Sequence, residues 1–394
     1  MKAMNNFDEF KQITKLIPLH GENIDWSALE ATSLSSIFKE MAKTNQNPLY
    51  HQEIDVLTHT KMVCEKMIEQ PEYINGSERD KTVLFWAALL HDIGKTACTV
   101  EKDGVLTSPH HSSKGSVMAR ALLWRDLGLC GDENKQQLRE AICLLIRYHS
   151  FPPYALSNAK PDLRVLKIAS NAETVKDFSM EKLCALEKAD ALGRIASSYR
   201  DMLERIEYCR LLADDLGCLK KPYEFANDFS MRAYFKEKTL WKEHDVFNDS
   251  WGKVILMSGL PGTGKDTYIR ENYSHLPMIS LDEIRKEFGI SPTAKQGKVV
   301  AIAHERAREY LRKKQEFVWN ATSISPQIRE MQISLFEDYG ASVQTVFLET
   351  EWNEELIRNR NREARVPESV IENMLSRLVL PERFESETVL WKTV

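Results

Sequence analysis

Gly259, Gly262 and Gly264, with Lys265 directly after them, have the spacing of a loop that wraps phosphate. Glycines there let successive backbone N–H groups turn inward around an anion, and the lysine adds a mobile positive charge. The apolar run Val254 to Met257 precedes the loop, and the helix-compatible stretch Tyr268 to Tyr273 follows it. Strand, glycine loop and helix start together predict a nucleoside triphosphate site built from Gly259, Gly262, Thr263, Gly264, Lys265, Asp266 and Thr267. One position departs from the usual pattern. Asp266 stands where a Ser or Thr hydroxyl normally meets Mg²⁺, which leaves Thr267 as the expected hydroxyl donor. About 170 residues upstream lies a second chemically loaded stretch, Leu89-Leu-His91-Asp92-Ile-Gly-Lys95. Two separate chemistries are expected in one chain.

Ser280-Leu-Asp282-Glu-Ile-Arg285 follows the second strand expected in the C-terminal half, Met278 to Leu281. Groups at the carboxyl ends of strands in an open α/β sheet face the active crevice. Asp282 is thus placed to take the proton of an attacking hydroxyl, and Arg285, one turn on, to clamp an anion. The plainer alternative is an N-cap aspartate with a solvated arginine. Asn320 ends a third expected strand at the same rim. Further on, Arg358, Arg360, Arg362 and Arg365 fall within eight residues that hold one acid, Glu363. Helical spacing puts Arg358 and Arg362 on one face, where they could close over the β- and γ-phosphates, with Arg365 a secondary candidate.

Six of the ten histidines lie between residues 51 and 149. A single histidine is more often a satisfied core residue than a ligand. His91 and Asp92 differ because they end the longest apolar run, Val83 to Leu90, where both can project from a helix end into a bundle interior. Burying them without partners would cost several kcal/mol. A divalent cation removes that cost, and imidazole with carboxylate suits a borderline transition metal. Lys95 could neutralise a phosphate oxygen or merely complement a helix C-terminus, and Arg194, one turn after Asp190, has the same two readings.

These groups must be held by two kinds of scaffold. Segments 53–70, 81–95, 115–128, 135–148, 162–175 and 181–215 show helical spacing of apolar residues. After Lys253 strand-like runs at 254–257, 278–281, 316–320 and 343–348 alternate with helical stretches, which implies a parallel sheet. The expected architecture is multidomain: an all-α domain over 1–215, a connector over 216–251 and an α/β P-loop domain over 252–394. Hydrophobic and charged fractions of 43% and 28% are those of a globular protein. The longest apolar run is too short to span a bilayer, and the first residues carry no apolar signal region. Seven cysteines, an odd count without a Cys-x-x-Cys pair, predict reduced thiols and a cytoplasmic setting. The net charge of −5 argues against wholesale nucleic-acid coating but leaves room for a local basic groove near the arginine-dense segment.

The order His59, His91-Asp92, His110-His111, His149 and Asp190 resembles the successive elements of the HD phosphohydrolase superfamily over about residues 50–210. The resemblance implies that His59, His91, Asp92 and Asp190 hold one ion, with His111 and His149 adding a second bridged by Asp92; His110 competes with His111. One or two divalent transition ions (Mn, Ni, Co, Zn or Fe) would then serve phosphoester hydrolysis. The loop, the Asp-x-x-Arg pair, Asn320-Ala-Thr-Ser323 and the arginine-rich stretch before Val366-Pro-Glu368 resemble the 5′-OH polynucleotide kinase branch of P-loop phosphotransferases over about 252–380. That branch more often has Asp-Ala-Thr-Asn where this chain has Asn320 to Ser323. The fusion is similar to the bacterial HD–polynucleotide kinase family, which implies ATP and Mg²⁺ as kinase cofactors. RNA ends would be the substrate, with DNA open as a second, and a separate ligase would seal the products. The competing expectation is an HD nucleotidase joined to a nucleoside or small-molecule kinase.

Overall fold

The computed structural model describes residues 6–49, 52–195, 199–291, 296–362 and 365–394. It divides into two compact units, residues 1–130 with 134–223, and residues 131–133 with 224–394. No helix among the described residues is long and apolar enough to cross a membrane.

The first unit is helical, and its centre is the Glu78–Leu90 helix, buried without interruption from Thr82 to Leu90. A helix with no polar face cannot lie at a surface, so the others wrap it. A capping box starts it: Ser77 Oγ accepts the Asp80 N–H, and the Asp80 carboxylate accepts the Ser77 N–H. Helices Val56–Ile68 and Met180–Leu192 pack against it and against each other. Helix His111–Ala121 is tied to helix Glu133–Tyr148 by a buried forked pair, Arg120 to Glu140 at 2.7 Å. The helical stretch expected over 181–215 is two helices, Met180–Leu192 and Tyr199–Asp215. A two-stranded ribbon, Val100–Lys102 with Val105–Thr107, had no clear sequence signal beyond its Asp103-Gly104 turn, both residues of which are left-handed.

The second unit is built on a five-stranded parallel sheet. Its strands run, edge to edge, Met278–Ser280, Phe317–Asn320, Lys253–Ser258, Ser342–Glu349 and Thr388–Thr393. Apolar residues pack on both faces: Val254 and Leu256 join one core, Ile255 and Met257 the other. Double burial explains why that strand reads as an unbroken apolar run. The central strand delivers the glycine loop, and the two strands beside it on one flank deliver Asn320 and the Asp282 helix to the same carboxyl rim. The fifth strand was not anticipated. Nor was the helix Asp228–Phe235, which falls inside the segment expected to be an irregular connector. Its Arg232 forks onto Glu337 at 2.7 Å, which fastens residues 224–251 to the sheet unit.

Candidate active sites

In the helical unit the chain brings six of its expected ligands together. One donor atom from each of His59, His91 and Asp190 lies within 4.8 Å of the others, and the same holds for Asp92, His111 and His149. Ligand atoms on opposite sides of one ion at 2.0–2.2 Å are at most about 4.4 Å apart, so each trio could close on an ion with small shifts. Asp92 faces both groups. Its Oδ2 lies 3.3 Å from His91 Nε2 and 3.6 Å from His59 Nε2, and its Oδ1 lies 3.5 Å from His111 Nε2 and 3.8 Å from His149 Nε2.

The remaining nitrogens of the rings are already committed. The Nδ1 atoms of His91, His111 and His149 lie 2.8, 2.9 and 2.8 Å from the carbonyls of Ala88, Ser108 and Ile146, each three residues earlier. Donation to a carbonyl fixes the proton on Nδ1 and leaves the Nε2 lone pair facing inward, the arrangement a metal requires. His59 uses a carboxylate instead: its Nδ1 is 2.9 Å from Glu53. Among the described residues, His91 Nε2 and Asp92 Oδ1 are buried without a hydrogen-bond partner. A cation would satisfy both, so the donor set fits a divalent ion. His110, the competitor of His111, is exposed in a left-handed conformation at the helix start and stays outside the cluster.

Backbone contact sets the spacing of the two trios. A Cβ on Gly94 would fall 2.1 Å from the carbonyl of His111 and 2.5 Å from the nitrogen of Gly115. Only glycine lets the turn after Asp92 touch the helix that carries His111.

The electrostatics at His111 and His149 suit ligation. Burial, with repulsion from His111 and His91, pushes His149 down to about 3, and burial also lowers His111. Both rings are therefore neutral and can bind metal. Burial works against ionisation of Asp92, yet Lys95 at 2.7 Å and His91 hold its carboxyl well below the usual range. Arg194 and His59 do the same for Asp190, again against burial. Lys95 and Arg194 are thus partners of the two carboxylates, and Lys95 also donates to Gln46 at 2.7 Å. Sequence reasoning missed Glu53, six residues before His59, and Glu187, one turn before Asp190; no spacing in the sequence marks either as buried.

In the second unit Lys265 Nζ lies inside its loop, donating to the carbonyls of Gly259 and Leu260 at 2.9 and 2.7 Å. Burial lowers its pKa to about 8. Thr263 Oγ1 bonds the Leu260 carbonyl and braces the loop from within. Asn320 Nδ2 donates to Asp266 Oδ1 at 2.6 Å, so the residue that replaces the usual hydroxyl is held from the neighbouring strand. Thr267 is exposed beside it. Asp282 is flanked by two arginines: Arg285 pairs with Oδ1, and Arg362 Nη2 lies 3.4 Å from Oδ2. The cap of that helix is Ser280, whose Oγ accepts the Glu283 N–H, so Asp282 is not the N-cap.

The arginine-rich stretch differs from its expected geometry. Its helix, Trp352–Arg360, ends before Arg362, so Arg358 and Arg362 do not share one helix face. Arg358 pairs with Glu354 at 2.8 Å and lies over the loop, its Nη1 3.5 Å from where a Gly264 Cβ would stand. Arg365 turns back to donate to the Arg360 carbonyl at 2.7 Å, capping the helix end rather than joining the site. A further residue, Glu355, lies buried under the loop, close to Gly262.

A family profile described as HD domain matches residues 56–177, and one described as AAA domain matches residues 254–381. Among curated proteins, the Multifunctional CCA proteins of Actinobacillus pleuropneumoniae serotype 5b (strain L20) and serotype 7 (strain AP76) are each 30% identical over 180 residues. These matches cover 44% of this chain and 39% of each relative, so the chain spans about two fifths of the length of the curated relatives it matches. The chain fuses a helical HD domain to a P-loop kinase-like domain with a five-stranded parallel sheet.

Proposed function

We propose that this chain heals broken polynucleotide ends: the P-loop unit phosphorylates a 5′-hydroxyl with ATP, and the HD unit removes 2′,3′-cyclic or terminal phosphate. The observation that carries the kinase half is Asp282 between Arg285 and Arg362 at the rim that also presents Lys265 and the glycine loop. Asp282 accepts the proton of the attacking hydroxyl, Lys265 and Arg358 bear on the phosphates of ATP, and Arg285 takes the phosphate on the 3′ side of the acceptor nucleotide. Asp266, held by Asn320, and Thr267 form the edge where Mg²⁺ would bind.

In the HD unit, His59, His91, Asp92 and Asp190 would hold one ion, and Asp92, His111 and His149 a second. Such an ion lowers the pKa of its bound water and polarises a phosphoryl oxygen. Lys95 and Arg194 keep the two aspartates ionised and oriented for that task. A 3′-hydroxyl freed by one unit and a 5′-phosphate installed by the other, with ADP as the leaving product, give a pair of ends that a ligase can join.

One RNA oligonucleotide with a 5′-hydroxyl and a 2′,3′-cyclic phosphate tests both halves. Incubated with labelled ATP, Mg²⁺ and Mn²⁺, it should gain a 5′-phosphate and lose its 3′ block. Equal phosphorylation of a free nucleoside would instead favour a nucleotide-metabolism enzyme, because a nucleoside has no 3′ phosphodiester for Arg285.

A further inference from the structure

A cavity of about 460 Å³ opens beside the histidine cluster, with Lys95 and His111 in its wall. That volume lies in the range of small-ligand sites and accommodates roughly one nucleotide. Lys95 and Arg194 also line it, but both are already paired, with Asp92 and Asp190. Arg205, on the Tyr199–Asp215 helix, is different. It lines the cavity with an exposed side chain and makes no ion pair or hydrogen bond with any described residue, including Asp201, the one acid beside it in the wall on the same helix.

A second, independent feature points to a ligand in the same space. Glu187 is 1% exposed, lines the cavity, and its Oε2 has no hydrogen-bond partner among the described residues. A buried carboxyl oxygen left without a partner is unfavourable, and a hydroxyl or amide donor from a bound molecule would relieve it. At the mouth, Tyr154 is 56% exposed, a ring on which a base can stack.

We propose that this cavity receives the terminal nucleotide of a polynucleotide chain, with Arg205 holding the internucleotide phosphodiester one residue inward from the phosphate at the metal cluster. The HD unit therefore prefers chain ends over free nucleotides. This rests on the reading of the HD unit as a terminal phosphohydrolase, and it adds the group that distinguishes a chain from a monomer. A free nucleoside cyclic phosphate offers one anion, which the cluster takes; a dinucleotide offers a second, and Arg205 is the cation left for it.

The test compares a nucleoside 2′,3′-cyclic phosphate with a dinucleotide ending in the same group, using the full chain with Mn²⁺. A charge-assisted contact predicts a kcat/KM about ten- to a hundredfold higher for the dinucleotide, and Arg205→Gln should bring that ratio towards one. Binding of a fluorescent dinucleotide 3′-phosphate in EDTA should weaken by the same factor in Arg205→Gln, a readout independent of turnover. Because Arg205 is exposed, the variant should fold as the wild type does. Hydrolysis of both substrates with equal kcat/KM, unchanged in Arg205→Gln, would overturn the proposal and leave the phosphohydrolase reading standing. Hydrolysis of neither would overturn both.

Discussion

Glu355 is open to a decisive experiment, because a protonated and an ionised carboxyl at this position make opposing predictions for stability. The residue is fully buried on the helix that carries Arg358, and neither carboxyl oxygen has a hydrogen-bond partner among the described residues. The charges bearing on it are Lys265 and Glu349. Burial and the Glu349 charge push its carboxyl from 4.5 up to about 8, with Lys265 opposing. The native protein therefore keeps a proton that the unfolded chain releases above pH 4.5. Since stability falls with pH wherever the folded state binds more protons, the contribution of that proton is full below 4.5, declines through the window and is gone above 8. At about 1.4 kcal/mol per unit, the loss is on the order of 3 kcal/mol by pH 7 and 5 kcal/mol by pH 8. Glu355→Gln keeps the shape and removes the ionisation. It should change stability by less than about 1 kcal/mol at pH 5 and raise the melting temperature of the sheet unit by roughly 10–20 °C at pH 8. Scanning calorimetry of the full chain reads this, with the kinase transition identified by its upward shift in ATP. A variant less stable than wild type at pH 8 would refute the reasoning, for it would mean that Glu355 is ionised and paired with Lys265.

Three other outcomes follow from the geometry. Asp92→Ala should abolish phosphate removal while 5′ phosphorylation persists, since the two sites belong to separate cores; equal loss of both, with circular dichroism unchanged, would contradict this. Lys265→Ala and Asp282→Ala should each lower kinase turnover by about a hundredfold or more, and near-normal turnover of Asp282→Ala under single-turnover conditions would remove its role as base. Arg285→Ala should erase most of a ten- to hundredfold preference for a nucleoside 3′-monophosphate over a nucleoside, and a preference that survives would place the 3′ phosphate elsewhere.

Much of the site was legible because its residues sit at element ends. His91 and Asp92 terminate a helix whose uninterrupted apolar run is visible by eye, and Lys265 follows a strand buried on both faces. The histidine order was likewise readable, although which of His110 and His111 enters the cluster depends on a left-handed residue that spacing does not announce. The arginine stretch failed for a similar reason: helix periodicity was extended through Arg362, but the helix stops at Arg360, where Arg365 caps its end. Glu355, Glu187 and Glu53 were hidden because an isolated glutamate in a helical sequence normally faces water. Only the fold shows that these three are buried beside functional groups. The edge strand Thr388–Thr393 is mixed in character, as a half-covered edge allows, and gave no clear signal.

The carbonyl contacts of His91, His111 and His149 have a consequence for how the protein assembles. Each ring is oriented by a group three residues earlier in its own chain segment, and Arg194 reaches Asp190 from one turn away. The orientation of these donors is therefore a local property, present once each segment has coiled. The long-range requirement is only that the helices meet. An ion arriving at a loosely collapsed chain would find three correctly turned imidazoles and could act as a cross-link that selects the native arrangement of helices. Metal supplied during refolding should speed recovery of the helical unit, whereas the P-loop unit, whose Asn320–Asp266 and Arg362–Asp282 contacts span 54 and 80 residues, gains nothing from it until its sheet is complete.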